Sequence, residues 1–270
     1  MDRAALLHAL KAGEIMPFHQ PLVRLRDGRP IGTEALARWY RPPVAASPRP
    51  TGPDLFVPLA EREGLGRALT CAVATRALHD LATLRGGEPA WRLPVSVNVP
   101  LDTALWPGLA PALRGLCRAA RLAPSRLHLE LTETTPVEDV ASLRRALLRL
   151  RAAGHPVAVD DMGPGLERDR LLRLPFSGIK LDRHLVADLP RGRAARARVE
   201  RLVARAHAAG MWVTAEGLET ARLWREAASL RVDNGQGHGI GPPMAPHVLP
   251  GWAAAWGVRP VRAGAAGARG

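Results

Sequence analysis

The sequence predicts an α/β protein, a TIM-like (β/α) barrel with an antiparallel first strand, and three observations carry that expectation. Short apolar runs alternate with helix-length amphipathic runs along nearly the whole chain, the order of a sheet closed or flanked by helices. The first two strand-like runs are joined by Arg26-Asp27-Gly28-Arg29-Pro30, and Asp-Gly between strands signals a hairpin, which makes those neighbours antiparallel. Acidic and amide residues recur where apolar runs stop: Glu34, Asn98, Glu130, Asp160 with Asp161, and Glu216. Strand ends of a barrel converge on one mouth, so these residues are expected to meet.

Taken in order, the chain opens with a short amphipathic helix ending near Leu10. Strands follow at Met16 to Leu25 and Ile31 to Trp39, then a proline-rich surface loop over Arg41 to Pro53. Helical runs at Asp54 to Glu63 and Leu65 to Leu84 precede a strand at Leu93 to Val97, which stops at Asn98. A helix over Pro111 to Arg121 leads to strand Leu127 to Leu131, and a helix over Val137 to Ala153 leads to strand Pro156 to Val159, ended by Asp160-Asp161. Strand Gly178 to Leu181 carries Lys180 within it. Helix Arg193 to Ala209, strand Met211 to Ala215, helix Glu219 to Ala228 and a short strand at Arg231 to Asn234 complete the alternation, before the turn Gly235-Gln236-Gly237. Residues 1–260 are expected to form a single barrel domain, since barrels of roughly 250 residues fold as one unit. Residues 261–270 are mostly Gly, Ala and Arg and read as a disordered tail.

Composition narrows the functional classes. A hydrophobic fraction of 47% over 270 residues suits a sizeable core, and no apolar run approaches the roughly 20 residues of a membrane span. The start lacks the basic segment, long apolar core and cleavage site of a secretory signal, so a cytoplasmic protein without membrane insertion is expected. Cys71 and Cys117 lie in helix-like runs without metal or redox spacing and read as free thiols. The net charge of +13 raises nucleic acid as a partner. Of the 38 basic residues, however, only Lys11 and Lys180 are lysines, a skew that, with abundant Ala, Gly and Pro, looks like a GC-rich genome. The densest basic run is Arg191 to Arg205, and over Arg191 to Gly210 the arginines alternate with Ala, Val and Leu at helical spacing, as on the solvated face of an outer helix. No DNA or RNA duplex is expected as a partner.

The strand-end residues define a chemistry. Carboxylates of Glu34, Glu130, Asp160, Asp161 and Glu216 gathered at one mouth would repel one another without cations. An all-oxygen donor set with the Asn98 amide suits Mg²⁺ or Mn²⁺ rather than zinc, which prefers His and Cys. The adjacent pair Asp160-Asp161 can serve two ions about 4 Å apart, the arrangement used for in-line displacement at phosphorus. Lys180 stands in a chain that otherwise uses arginine almost everywhere. A compact ammonium acts as a point charge toward a water or phosphate where a guanidinium needs more room.

These residues also carry a family resemblance. Phe18-His19-Gln20-Pro21 followed by Glu34-Ala35-Leu36-Ala37-Arg38 resembles the signature of the EAL domain family, the bacterial cyclic di-GMP phosphodiesterases. The match continues, in the family's order, through Phe56 to Glu61, Ser96-Val97-Asn98-Val99, Glu130-Leu131-Thr132-Glu133, Asp160-Asp161, Lys180-Leu181-Asp182-Arg183, Ala215 to Thr220 and Gln236-Gly237. The resemblance implies metal-dependent hydrolysis of cyclic di-GMP to linear pGpG by a metal-activated water. It implies that Glu34, Asn98, Glu130, Asp160 and Asp161 hold two ions, Mg²⁺ or Mn²⁺, with Glu216 close by. Lys180 matches the lysine that contacts the catalytic water, so Lys180, Glu216 and Glu34 form the implied catalytic set. Gln20, Leu36, Arg38 and Gln236 match substrate-binding positions, Glu133 matches an anchor of the loop after the paired aspartates, and a homodimer is implied as the assembly. The planar donors of Arg38 suit a phosphodiester oxygen pair.

The chain departs from the family at that loop. Where the family has Asp-Asp-Phe-Gly followed by hydroxyl residues and a tyrosine, this chain has Asp160-Asp161-Met162-Gly163-Pro164-Gly165-Leu166-Glu167-Arg168-Asp169. His238 and Pro242 replace a tyrosine and an arginine further on. Two readings follow: an active phosphodiesterase, or a catalytically weak or inactive domain that serves as a cyclic di-GMP receptor or protein-interaction module.

Overall fold

The computed structural model describes residues 1–40, 50–84, 93–132, 139–162 and 170–258. Eight strands close into a barrel in sequence order. They are β1 Ile15–Arg24, β2 Pro30–Trp39, β3 Val95–Pro100, β4 Leu127–Thr132, β5 Val157–Met162, β6 Gly178–Leu181, β7 Trp212–Ala215 and β8 Asn234–Gly235. β1 is antiparallel to both β2 and β8, while the pairings from β2 round to β8 are all parallel. The reversal begins at the expected hairpin, where Asp27 accepts from Arg24 Nε at 2.9 Å and from the Arg29 amide at 3.1 Å. Because β1 runs backwards, its earlier residues reach the mouth: Gln20 faces Glu34 in the register, Phe18 faces Leu36 and Met16 faces Arg38.

The strands alternate in a way that fixes the site. Val97, Val99, Leu129, Leu131, Val159, Ile179, Leu181, Val213 and Ala215 are buried in the core that the helices cover. Strand side chains alternate between faces, so the intervening positions point to the barrel axis. They are Ser96, Asn98, His128, Glu130, Ala158, Asp160, Gly178, Lys180, Trp212 and Thr214. Barrel interiors are usually filled by bulky aliphatic residues. Here the aliphatic face is the outer one, and burying each such Leu or Ile contributes about 1.5–3 kcal/mol.

The helices close this outer layer. Leu69, Val73, Ala77 and Leu81 form the buried stripe of helix Gly66–Leu84, and Leu143, Ala146, Leu147 and Leu150 that of helix Val140–Ala152. Caps set their limits: Asp139 accepts from the Ser142 amide at 2.8 Å, and Thr220 from that of Leu223 at 3.2 Å. Cys71 and Cys117 are both free, and burial pushes the Cys117 thiol up to about 11. Among the described residues no helix is long and apolar enough to cross a membrane.

Several boundaries differ from the sequence expectation. β3 starts at Val95 and continues to Pro100, and β5 continues to Met162, so Asn98, Asp160 and Asp161 lie inside strands rather than after them. The reason is ladder pairing: Asn98 is in register with Glu130, and Pro100 with Thr132, which keeps the backbone extended through polar positions. The last strand is Asn234–Gly235 rather than Arg231 to Asn234, because Arg231 has a left-handed φ of 62°. Helices Leu101–Leu105, Arg183–Ala187 and Leu249–Val258 were not anticipated. Glu133, the run 163–169, most of the proline-rich loop and the 261–270 tail lie outside the described residues.

Candidate active site

Lys180 occupies the centre of the mouth. Its side chain comes from the middle of β6, is 1% exposed, and brings Nζ within 3.2 Å of Glu34, 2.7 Å of Glu130, 3.2 Å of Asp160 and 2.6 Å of Glu216. Four different strands or strand ends therefore direct a carboxylate at one ammonium. A guanidinium could not take this place, since its flat fork cannot present donors in so many directions within one small volume.

The electrostatics follow from burial. Lys180 loses solvation, yet Glu130, Glu216, Glu34 and Asp160 raise its pKa well above the ordinary lysine value, so it remains an ammonium. Burial drives Glu130 well above the usual carboxylate range, helped by the negative charge of Glu34. Burial likewise raises Asp160, and carries Glu216 to about 7, against the pull of Lys180. Glu34 goes the other way: burial pushes it up, but Lys180 and hydrogen bonds from Gln236 and Asn98 hold it below the ordinary value. One lysine thus leaves the cluster short of positive charge.

That shortfall and the donor set fit hard divalent cations. Carboxylate oxygens of Asp160, Asp161 and Glu216 lie within 4.8 Å of one another. Asn98 Nδ2 donates to Glu34 Oε1 at 2.8 Å, placing the amide at the same rim. Consecutive strand residues normally face opposite sides, so Asp160 and Asp161 meet only because β5 bulges, its register slipping between Val159 and Met162. Asp161 takes a left-handed φ of 52° there, a conformation Asp tolerates better than most residues. Met162, where the family has an aromatic residue, is fully buried and pairs with Leu181, so it packs into the core behind the site.

The implied substrate-binding residues line one side of the mouth. Gln236 Nε2 donates to Glu34 Oε2 at 2.7 Å and to Gln20 Oε1 at 2.9 Å, and Gln20 Nε2 donates to the Gly241 carbonyl at 3.2 Å. Gly237 makes this loop possible, because a Cβ there would stand 2.2 Å from the Leu218 amide nitrogen. Arg38 and Leu36 sit further up β2, both half-buried. Arg38 Nη1 donates to the Ala37 carbonyl at 2.9 Å, and its guanidinium lies 5.7 Å from the Phe18 ring centroid. Sequence reasoning assigned a substrate-binding role to Gln20, Leu36, Arg38 and Gln236 but none to Phe18, which strand alternation from Gln20 puts on the same face. It also missed the support behind Gln20: His19, wholly buried, bonds Thr33 Oγ1 at 3.1 Å and Asp80 Oδ2 at 3.0 Å.

The closed barrel thus gathers an oxygen-rich, lysine-centred set of side chains at its mouth, where a structural core would be apolar. The chain belongs to the EAL domain family, whose model matches residues 3–243. It is 34% identical over 235 residues to the cyclic di-GMP phosphodiesterase PA2567 of Pseudomonas aeruginosa, covering 87% of this chain and 39% of that protein. It is 32% identical to the cyclic di-GMP phosphodiesterase RocR of the same organism, covering 89% of this chain and 60% of the relative. The chain thus spans 39% of the length of the first of these relatives and 60% of the second. Among solved structures, the MucR phosphodiesterase in complex with c-di-GMP superposes with a TM-score of 0.79 at 30% identity, covering 91% of this chain and 98% of that one. The EAL enzyme Bd1971, in a form with cAMP and cyclic di-GMP bound, gives a TM-score of 0.82 at 26% identity over 93% of this chain and 67% of that one.

Proposed function

We propose that this domain hydrolyses cyclic di-GMP to linear pGpG. The observation that carries the reading is the Lys180-centred cluster: an ammonium held within 3.2 Å of four carboxylates, three of them buried, beside Gln20, Gln236 and Arg38. Glu34, Asn98, Glu130, Asp160 and Asp161 would hold two divalent cations, Mg²⁺ or Mn²⁺, with Glu216 adjacent. Bound there, such ions supply Lewis acidity toward a phosphodiester and lower the pKa of a water.

The chain's own residues do the rest. Lys180 keeps its proton and offers a fixed positive charge toward the attacking water and the anionic phosphorus centre, within a site too buried for bulk water to screen it. Arg38 presents paired donors to a phosphodiester oxygen pair. Gln20 and Gln236, each buried and already bonded to the other, have amide edges suited to a guanine, and Leu36 packs against a ribose. Water attack at phosphorus breaks one phosphodiester bond of the ring, the displaced ribose oxygen takes up a proton, and a linear dinucleotide with one terminal phosphate results. Glu133 belongs to this reading as the loop anchor, and a second copy of the chain as the partner in a homodimer.

The test is direct. Purified protein is incubated with cyclic di-GMP and Mn²⁺ and the nucleotides are resolved, while binding is measured in parallel with Ca²⁺. Linear product that vanishes in Glu34→Ala and Lys180→Ala supports the enzyme. Tight binding without product rejects it in favour of the receptor reading, to which the altered run after Met162 points. Light scattering on the same sample decides the dimer.

A further inference from the structure

Below the acid cluster, at the N-terminal ends of the strands, the barrel contains a second cavity of about 290 Å³. Lys180 and Glu130 also line it, so it shares those two residues with the mouth. One wall is aromatic: the Trp212 and His128 rings lie 5.8 Å apart at 34°. Gly178 makes room for that wall, since a Cβ there would stand 2.2 Å from Trp212 Nε1. Leu22, Ile31 and Pro94 make the facing surface apolar.

Ser96 also lines the cavity, is 7% exposed, and its Oγ has no hydrogen-bond partner among the described residues. A buried hydroxyl left unpaired is unfavourable, so an occupant that bonds it is favoured over an empty space. The remaining chemistry selects that occupant. An anion finds the ammonium of Lys180 already surrounded by four carboxylates. A hydrated cation would lose its water against apolar and aromatic walls. Thr33, Thr214 and Asn234 also line the cavity, so water is the competing occupant. The volume lies just below the range for drug-sized ligands, roughly 300 Å³ upward, so the occupant is small.

We propose that the lower end of the barrel is a second binding site, which takes a small, flat, uncharged heteroaromatic molecule with its ring against Trp212 and His128 and a ring nitrogen accepting from Ser96 Oγ. The site is independent of whether the mouth turns over a substrate.

Benzimidazole is the probe. The ¹⁵N-labelled full chain is titrated into the low-millimolar range while the Trp212 indole resonance, identified by its loss in Trp212→Phe, is followed. A saturable shift is expected that persists when cyclic di-GMP is added, weakens about fivefold or more in Ser96→Ala, and disappears in Ala158→Leu, which fills the cavity. Absence of a saturable shift means the cavity holds water only and overturns the proposal. So does an affinity that Ser96→Ala leaves unchanged, which also decides the matter if Ala158→Leu fails to fold.

Discussion

The mouth and the lower end of the barrel are built by the same strands two residues apart. At the mouth the inward positions are Glu34, Asn98, Glu130, Asp160, Lys180 and Glu216; one step lower they are Gly32, Ser96, His128, Ala158, Gly178 and Thr214. Charge is thus confined to one layer resting on a neutral one. Carboxylates in the upper layer rest on neutral side chains, and burial dominates the upward shifts of Glu130, Asp160 and Glu216 against the pull of Lys180. The difference between the layers shows that depth sets the chemistry: the same column of side chains is charged where it meets the loops and neutral where it meets the floor.

The largest effect that would sharpen this contrast is loss of the upper layer's charges. Lys180→Ala and Glu34→Ala are each expected to lower product formation by about a thousandfold, the upper range for removing one preorganised electrostatic group. Initial rates at saturating cyclic di-GMP check it. Lys180→Met should also destabilise the metal-free fold by about 3–5 kcal/mol, because it leaves buried carboxylates without their counter-charge. Urea unfolding in EDTA measures this, and added Mg²⁺ should recover part of the loss, whereas no destabilisation would show that the lysine is not what holds the acids together. For the unaltered protein, EDTA should abolish hydrolysis, and a hundredfold excess of Mn²⁺ over its dissociation constant should add about 2.7 kcal/mol of stability.

Changes in the lower layer should act on packing alone. Gly178→Ala forces a Cβ against Trp212 and is expected to cost about 1–3 kcal/mol, read from the urea midpoint, with no dependence on divalent cations. The smallest effect concerns His155, a buried residue below the barrel whose Nδ1 lies 3.1 Å from the Leu127 carbonyl. Burial lowers its pKa in the folded state. The unfolded chain therefore binds a proton below about pH 6.5 that the folded chain refuses, so stability falls as pH drops through that region. His155→Asn should cost about 1 kcal/mol at pH 7 through the weakened hydrogen bond, yet flatten the decline between pH 6.5 and 5. Thermal melts at both pH values decide it, and an equal slope in the two proteins would place the acid sensitivity elsewhere.

Much of this was legible in the chain. The Asp27-Gly28 turn announced the reversed strand, Gly178 to Leu181 was delimited as it stands, and each acid at the mouth lay where a local apolar run met a polar residue. The alternation of Val97, Val99, Leu129 and Leu131 with polar neighbours was also open to view and would have placed those polar residues on the barrel axis. The strand limits at Asn98 and Asp160 were not, because ladder bonds to neighbouring strands, rather than local hydropathy, keep those residues extended.

By itself the sequence determined the barrel, its one antiparallel strand and the set of residues available for a metal site, since these rest on hydrophobic period, turn chemistry and residue type, all local properties. Only the tertiary structure decided that Lys180 would meet Glu34, 146 residues away, and Glu130, 50 residues away, at one point. The left-handed turn of Asp161 and the neutral cavity beneath the acids were decided there too. Such contacts depend on strand register and barrel closure, which pair positions distant in sequence and leave no local mark on the residues they bring together.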